Sequence, residues 1–159
     1  MVDCLLNHVA IDVDDLEEAV AFYTDLFDME RVSTPDFGSP YAWLEFSGQQ
    51  LHLIERGGGD QRPEHQHFAL IVDDFETVWN RAEDRGAIGE DTGYVRALPN
   101  GVVQCYIRDP SGNRVEFMWS DVQTLPDTIA THVDHVEAVA PTEEPAGATI
   151  APNVTAYEE

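Results

Sequence analysis

The chain contains no lysine. Its eight basic residues are all arginine, and they face 31 Asp and Glu in 159 residues, a formal net charge of −23. A surface this acidic excludes polyanionic partners, because the sequence-independent affinity for nucleic acid and for anionic bilayers comes from Lys and Arg neutralising phosphates. Neither nucleic acid nor a membrane surface is an expected partner. No apolar run approaches the roughly 18 residues that a membrane span needs. The opening MVDCLL has neither the cationic nor the apolar region of a secretion signal, so a cytoplasmic location is expected. Cysteine is scarce: Cys4 and Cys105 stand far apart in apolar contexts, a spacing that fits neither a thiolate metal site nor a redox pair, and both are expected to be buried free thiols.

What is present suffices for a core, since 43% of residues are apolar and 9% aromatic, and acidity here does not signal disorder. High net charge without Lys fits a protein working in concentrated salt, where screening shortens self-repulsion to about 3 Å near molar ionic strength. Halophilic character, with folding favoured by salt, is the expectation.

An internal repeat organises the sequence. HVAIDVDDLEEAVAFY from His8 lies over HFALIVDDFETVWNRA from His67 with six identities in sixteen positions. Each copy alternates apolar and polar residues as a strand does, then passes an Asp-Asp pair into an amphipathic helical run; Asp14 or Asp15 and Asp73 or Asp74 are the candidate N-caps. Downstream, SGQQLHL from Ser47 lies over SGNRVEF from Ser111 as turn and strand, which superposes His52 on Glu116. Two further strands fit inside each copy, around 30–33 and 41–46 in the first and around 94–97 and 102–108 in the second. The expected fold is α+β: two paired βαβββ modules, residues 1–60 and 61–120. Residues 121–159 carry eight acids and no Arg and read as a tail. Within it Ile129, Val133 and Val136 have the spacing of one short helix, and an extended arm follows from Pro141.

Strand parity, with faces alternating at period two, says which side chains share a surface. Val9, Ile11 and Val13 set His8 on the opposite face; Leu51 and Leu53 do so for His52, Phe68 and Leu70 for His67, and Val115 and Phe117 for Glu116. If each apolar stripe packs under its module's helix, three imidazoles and a carboxylate gather on a concave surface. That donor set suits Zn, Ni, Co, Mn or Fe(II), and the absence of thiolates argues against a closed structural zinc. Four ligands leave two positions open on an octahedral ion, while His8, His67 and Glu116 alone leave three, and an open position is what Lewis-acid chemistry needs. Glu116 between Val115 and Phe117 is costly to bury unless it meets a cation. His65 is expected beside the site, and His132 and His135 at the surface of the tail. Tyr41, Trp43, Tyr106 and Met118 are candidate pocket walls.

LNHVAIDVDDLEEAVAFYTDLFDME, HQHFALIVDD and RDPSGNRVEF resemble the vicinal oxygen chelate superfamily, which includes glyoxalase I, extradiol dioxygenases and the bleomycin resistance proteins. The resemblance covers about residues 4–120. It implies that the two modules form a half-barrel or barrel-like sheet around a metal cavity, with metal ligands at His8, His52, His67 and Glu116, a small-molecule substrate and a homodimer, the site being formed either within one chain or across two. It also implies catalysis by a divalent ion that chelates two neighbouring substrate oxygens, with Glu116 as the proton-transferring carboxylate of a glyoxalase-like lyase or isomerase. An Fe(II) dioxygenase and a non-catalytic resistance-type binding protein are the alternatives. Glutathione-dependent glyoxalases typically place a carboxylate at the position of His52 and an Arg at that of Asp12, so glutathione is not the expected cosubstrate; Arg56 is only a loose substitute for that Arg.

Overall fold

The computed structural model describes residues 5–57, 63–89 and 93–137. Cys4, the junction between the two modules at 60/61 and the arm from Pro141 lie outside the described residues.

The first module is β1 (His8–Val13), α1 (Leu16–Phe27), β2 (Glu30–Val32), β3 (Tyr41–Phe46) and β4 (Gln49–Glu55). The second is β5 (His67–Ile71), α2 (Phe75–Asp84), β6 (Tyr94–Ala97), β7 (Val103–Arg108) and β8 (Arg114–Trp119). The sheets run β1-β4-β3-β2 and β5-β8-β7-β6, each with its first and last strands parallel and the rest antiparallel. Each module is therefore βαβββ, and the fold is α+β. Both helices start where the second Asp of each Asp-Asp pair caps: Asp15 accepts from the Glu18 N–H and Asp74 from the Thr77 N–H, each at 2.9 Å. Such a cap satisfies an otherwise orphaned donor and contributes about 1 kcal/mol. The α1 helix ends at Asp28, whose φ of 53° is left-handed.

The apolar stripes pack as parity requires. Val13, Leu51 and Leu53 of the first sheet and Val115 and Phe117 of the second are fully buried under α1 and α2, in one core shared by both modules. A polar clamp joins the modules as well. The Tyr23 hydroxyl on α1 donates to Asp109 Oδ2 at 2.9 Å, and Asn113 Nδ2 reaches both Asp109 Oδ2 (2.8 Å) and the Asp12 carbonyl (2.9 Å). The Asp14 N–H donates to Ser111 Oγ at 2.8 Å. The turn DPSGN of the second module is thus bolted to the β1–α1 junction of the first.

The tail holds one short helix and then an extended segment, with the helix ending before Val133. After a 3₁₀ turn at Val122–Thr124, α3 (Asp127–Ala130) is a single turn, and the chain then extends as β9 (Asp134–His135), parallel to β6. Ile129 and Val133 are buried, but Val136 is 41% exposed. The physical reason is the open edge of β6: its unpaired backbone groups offer hydrogen bonds that a second helical turn would forgo, and the Val136 N–H takes the Ala97 carbonyl at 2.9 Å. Asp134–His135 thus add a fifth strand to the second module's sheet.

Candidate metal centre

All four candidate donors stand on the sheet faces opposite the core, but they come as two pairs. On the first sheet the His8 and His52 rings stack with centroids 4.3 Å apart and planes 11° apart, and Trp43, directly across from His52, stacks on its other side at 4.4 Å. On the second sheet His67 Nε2 lies 2.9 Å from Glu116 Oε2. Among the described residues no three His, Cys, Asp or Glu side chains come together as a metal-holding group. Within one chain the four expected ligands therefore stand as two pairs. Parity fixes which face a side chain takes, but not whether the faces of two separate sheets turn toward each other within one chain.

The His67–Glu116 contact has unusual polarity. His67 Nδ1 lies 2.9 Å from the His65 backbone carbonyl, which can only accept, so Nδ1 carries the proton. In a neutral imidazole Nε2 is then a lone pair, and it faces a carboxylate oxygen. Two acceptors at 2.9 Å are held together either by a shared proton, as in an imidazolium–carboxylate pair, or as neighbouring ligands of one metal ion. Glu116 is only 3% exposed. Its Oε1 accepts from Gln104 Nε2 at 2.7 Å, and Gln104 is itself oriented by Arg96, whose Nε donates to Gln104 Oε1 at 2.9 Å. Tyr106 sets its ring edge against His67 at 5.4 Å between centroids, and burial together with the neighbouring Glu116 pushes its hydroxyl up to about 12. Gln104 and Arg96 were not among the sequence candidates. The legible signal was parity: both are polar on strands whose alternate residues, Val103 and Cys105 or Val95 and Ala97, are core.

In the first pair His8 Nδ1 and His52 Nε2 each lie 2.9 Å from an amide oxygen, of Asn7 and Gln50, which leaves His8 Nε2 and His52 Nδ1 as the lone-pair nitrogens. The donor chemistry of the two pairs, two imidazoles and then an imidazole with a carboxylate, fits a divalent ion of the Zn to Fe group. Of the other histidines, His65 supplies its carbonyl to His67, His132 rests beside Trp79 at 5.7 Å, and His135 is exposed on β9. Tyr41 lies on β3 beside Phe37, and Met118 is buried on β8 next to Glu116 on the same face. Asp12 pairs with Arg56 at 3.6 Å.

The description Glyoxalase/Bleomycin resistance protein/Dioxygenase superfamily matches over residues 5–117, both modules together. The chain belongs to this superfamily. It is similar to the protein PA2024 of Pseudomonas aeruginosa, 30% identical over 72% of this chain and 87% of that one. A trivalent organoarsenical cleaving enzyme of Bacillus sp. is likewise 30% identical, over 82% of this chain and 85% of that enzyme. Among solved structures, the lactoylglutathione lyase of Agrobacterium tumefaciens is similar with a TM-score of 0.57 and 28% identity, covering 73% of this chain and 93% of that one. No helix among the described residues is long and apolar enough to cross a membrane.

Titration of the first pair has a definite sign. Burial first, and then the neighbouring His8, lower the pKa of His52 below its ordinary 6.5. A base whose folded pKa is depressed contributes stability above the unfolded value and loses it as pH falls toward the folded one, because the unfolded chain takes up the proton first. The melting temperature of the metal-free protein should therefore fall between neutrality and the folded pKa of His52, and less steeply in His52→Gln. Identical pH slopes for the two proteins would exclude this assignment. The lowered pKa also keeps His52 in the neutral form that a metal requires.

Proposed function

We propose that the protein is a metal-dependent lyase or isomerase of the glyoxalase type, acting on a small oxygenated substrate at a centre held by His8, His52, His67 and Glu116. The observation that carries the reading is the contact between His67 Nε2 and Glu116 Oε2 at 2.9 Å, on a buried carboxylate whose Oε1 accepts from Gln104 Nε2. A divalent ion held by these residues would supply Lewis-acid polarisation of two neighbouring substrate oxygens. Glu116 would contribute the proton transfer: Gln104 holds Oε1, and Oε2 would have to loosen from the ligand set to take a proton from one substrate carbon and return it to the next. Trp43 and Tyr106 wall the two donor pairs and exclude water from the reacting carbons.

The division into pairs supports a homodimer in which the first module of one chain closes on the second module of another. Exposed apolar side chains on the donor-bearing faces fit this reading: Ile71, 57% exposed, shares the face of His67, and Tyr94, 42% exposed, shares that of Glu116. Large apolar groups left in water on a concave face mark a surface that is covered in the working assembly.

The substrate class of the Bacillus relative is less well supported for this chain. Trivalent arsenic is soft and seeks thiolates, whereas the one cysteine among the described residues, Cys105, is buried and its pKa is driven far up by burial and then by Glu116. The decisive experiment is metal analysis by mass spectrometry on purified protein, together with turnover of methylglyoxal hemithioacetals after loading with Ni, Co, Zn or Mn. Bound metal near one ion per donor set and metal-dependent turnover are expected. Turnover absent with every ion and every thiol adduct would overturn the reaction, and oxygen uptake with catechols by the Fe(II)-loaded protein would replace it with dioxygenase chemistry.

A further inference from the structure

Seven of the eight arginines lie among the described residues, and four of them meet carboxylates: Arg31 with Glu17, Arg56 with Asp12, Arg81 with Asp28 and Arg85 with Asp25. The other three, Arg96, Arg108 and Arg114, have no carboxylate partner among the described residues. With 31 acids to eight bases in the chain, an arginine placed without constraint finds a carboxylate. These three all stand on one surface, the face of the second sheet that carries His67 and Glu116. Arg108 lies directly across from Arg114, which neighbours His67 on the other side, and Arg96 lies across from Gln104. Like charges facing each other across strands are unfavourable, so this sheet holds its positive potential against the pull of stability. The acids set against it are Glu116 and, at the rim beside Arg96, Asp134.

The three guanidiniums are not equivalent. Arg96 donates to Gln104 and, at 3.3 Å, to the Tyr106 hydroxyl, and Arg108 donates to the Gly112 carbonyl at 2.8 Å. Arg114 makes no side-chain hydrogen bond among the described residues. Its guanidinium carbon lies 5.9 Å from the Tyr106 ring centre and 6.0 Å from that of Tyr94, and those two rings stack on each other at 4.8 Å. Aromatic faces orient a guanidinium while leaving its rim of five N–H donors uncommitted. Arg114 also lines a cavity of about 360 Å³, together with His67, Gln66, Asn113, Val9 and Ile11.

We propose that Arg114, backed by the potential of Arg108 and Arg96, binds the carboxylate of an anionic substrate whose other end reaches the His67 and Glu116 pair. The anion site rests on the arginines; only what the other end meets rests on the metal-centre reading. A planar carboxylate matches the guanidinium fork with two parallel hydrogen bonds, and the substrate class becomes an oxygenated carboxylic acid, not a neutral aldehyde adduct.

Calorimetric titration with malate, which carries a hydroxyl and carboxylate on neighbouring carbons plus a second carboxylate, tests this against lactate, which lacks the second carboxylate. At fixed ionic strength wild type and Arg31→Gln should bind malate alike, and lactate about tenfold or more weakly. Arg114→Gln should bind malate no better than lactate, with Arg114→Lys intermediate because an ammonium supplies charge without the fork. Equal malate affinity in wild type and Arg114→Gln would overturn the proposal. So would inorganic phosphate binding more tightly than malate at Arg114, or a loss of malate binding that follows only from dimer dissociation in sedimentation, which would mean that the arginines serve the acidic face of another copy's first module, where Asp12, Glu30 and Glu45 lie. Metal content measured on the same samples separates the two readings: Arg114-dependent malate binding without any metal uptake defeats the metal centre alone, and metal uptake without Arg114 dependence defeats the anion site alone.

Discussion

Glu116→Gln should abolish binding of a divalent ion and lower turnover by about 10²- to 10⁴-fold, the range contributed by a positioned acid or base, while leaving the fold intact. The substitution keeps the shape of the side chain and can still accept from Gln104 Nε2. What changes is the other oxygen. An amide N–H placed there donates to the lone pair of His67 Nε2, so the contact that needed a cation in the wild type becomes an ordinary hydrogen bond. The metal-free variant should therefore melt no lower than the metal-free wild type. Added metal should raise the wild-type melting temperature by mass action, about 2.7 kcal/mol at a hundredfold excess over Kd, and should not move that of the variant. Thermal melts with and without metal, with metal content measured beside them, read both effects. A variant that keeps full function without metal would make Glu116 a structural group and the protein a binder of the resistance type.

How much of this could be read from the chain depends on the range of the interaction involved. The Asp-Asp caps, the helices and the strands 41–46 and 94–97 follow from local chemistry, and the structure reproduces them. The face taken by each of His8, His52, His67 and Glu116 follows from period two, which no tertiary contact can shift without turning the whole strand. The pairing of those four residues was not legible, because it depends on how two sheets sit relative to each other. The β9 strand was missed for a related reason. The spacing of Ile129, Val133 and Val136 describes which residues seek the core, yet the edge of β6 decided the backbone conformation between them. Gln104 and Arg96 were legible in principle, as polar residues alternating with core residues, but their connection to Glu116 needed the register of β6, β7 and β8.

Asp109→Ala should be the most destabilising substitution among the polar residues, by about 3 kcal/mol or about 10 °C in melting temperature for a chain of this size. The side chain accepts from the Tyr23 hydroxyl at 2.9 Å, Asn113 Nδ2 at 2.8 Å and the Asn113 N–H at 2.7 Å, and from the Ser111 backbone. Asn113 is half-buried and can turn to water, but Tyr23 is fully buried and cannot. An orphaned buried hydroxyl costs about 1–3 kcal/mol, and the modules also lose the clamp that joins α1 to the β7–β8 turn. Tyr23→Phe isolates one arm of that clamp and adds a pH signature. Burial raises the pKa of Asp109, against the hydrogen bonds from Asn113 and Tyr23 that lower it. A carboxyl with a raised folded pKa stabilises fully below its unfolded value and loses that contribution as pH rises through the folded one. Removing the Tyr23 donor raises the folded pKa further, because the bond it removes is stronger to the carboxylate than to the neutral acid. The destabilisation by Tyr23→Phe should therefore be small below the unfolded pKa of Asp109 and grow as pH rises through its folded value. Denaturant melts of wild type and variant at acidic and neutral pH measure the difference, and a loss of stability that is the same at both would mean that the Tyr23 hydroxyl does not sense the charge on Asp109.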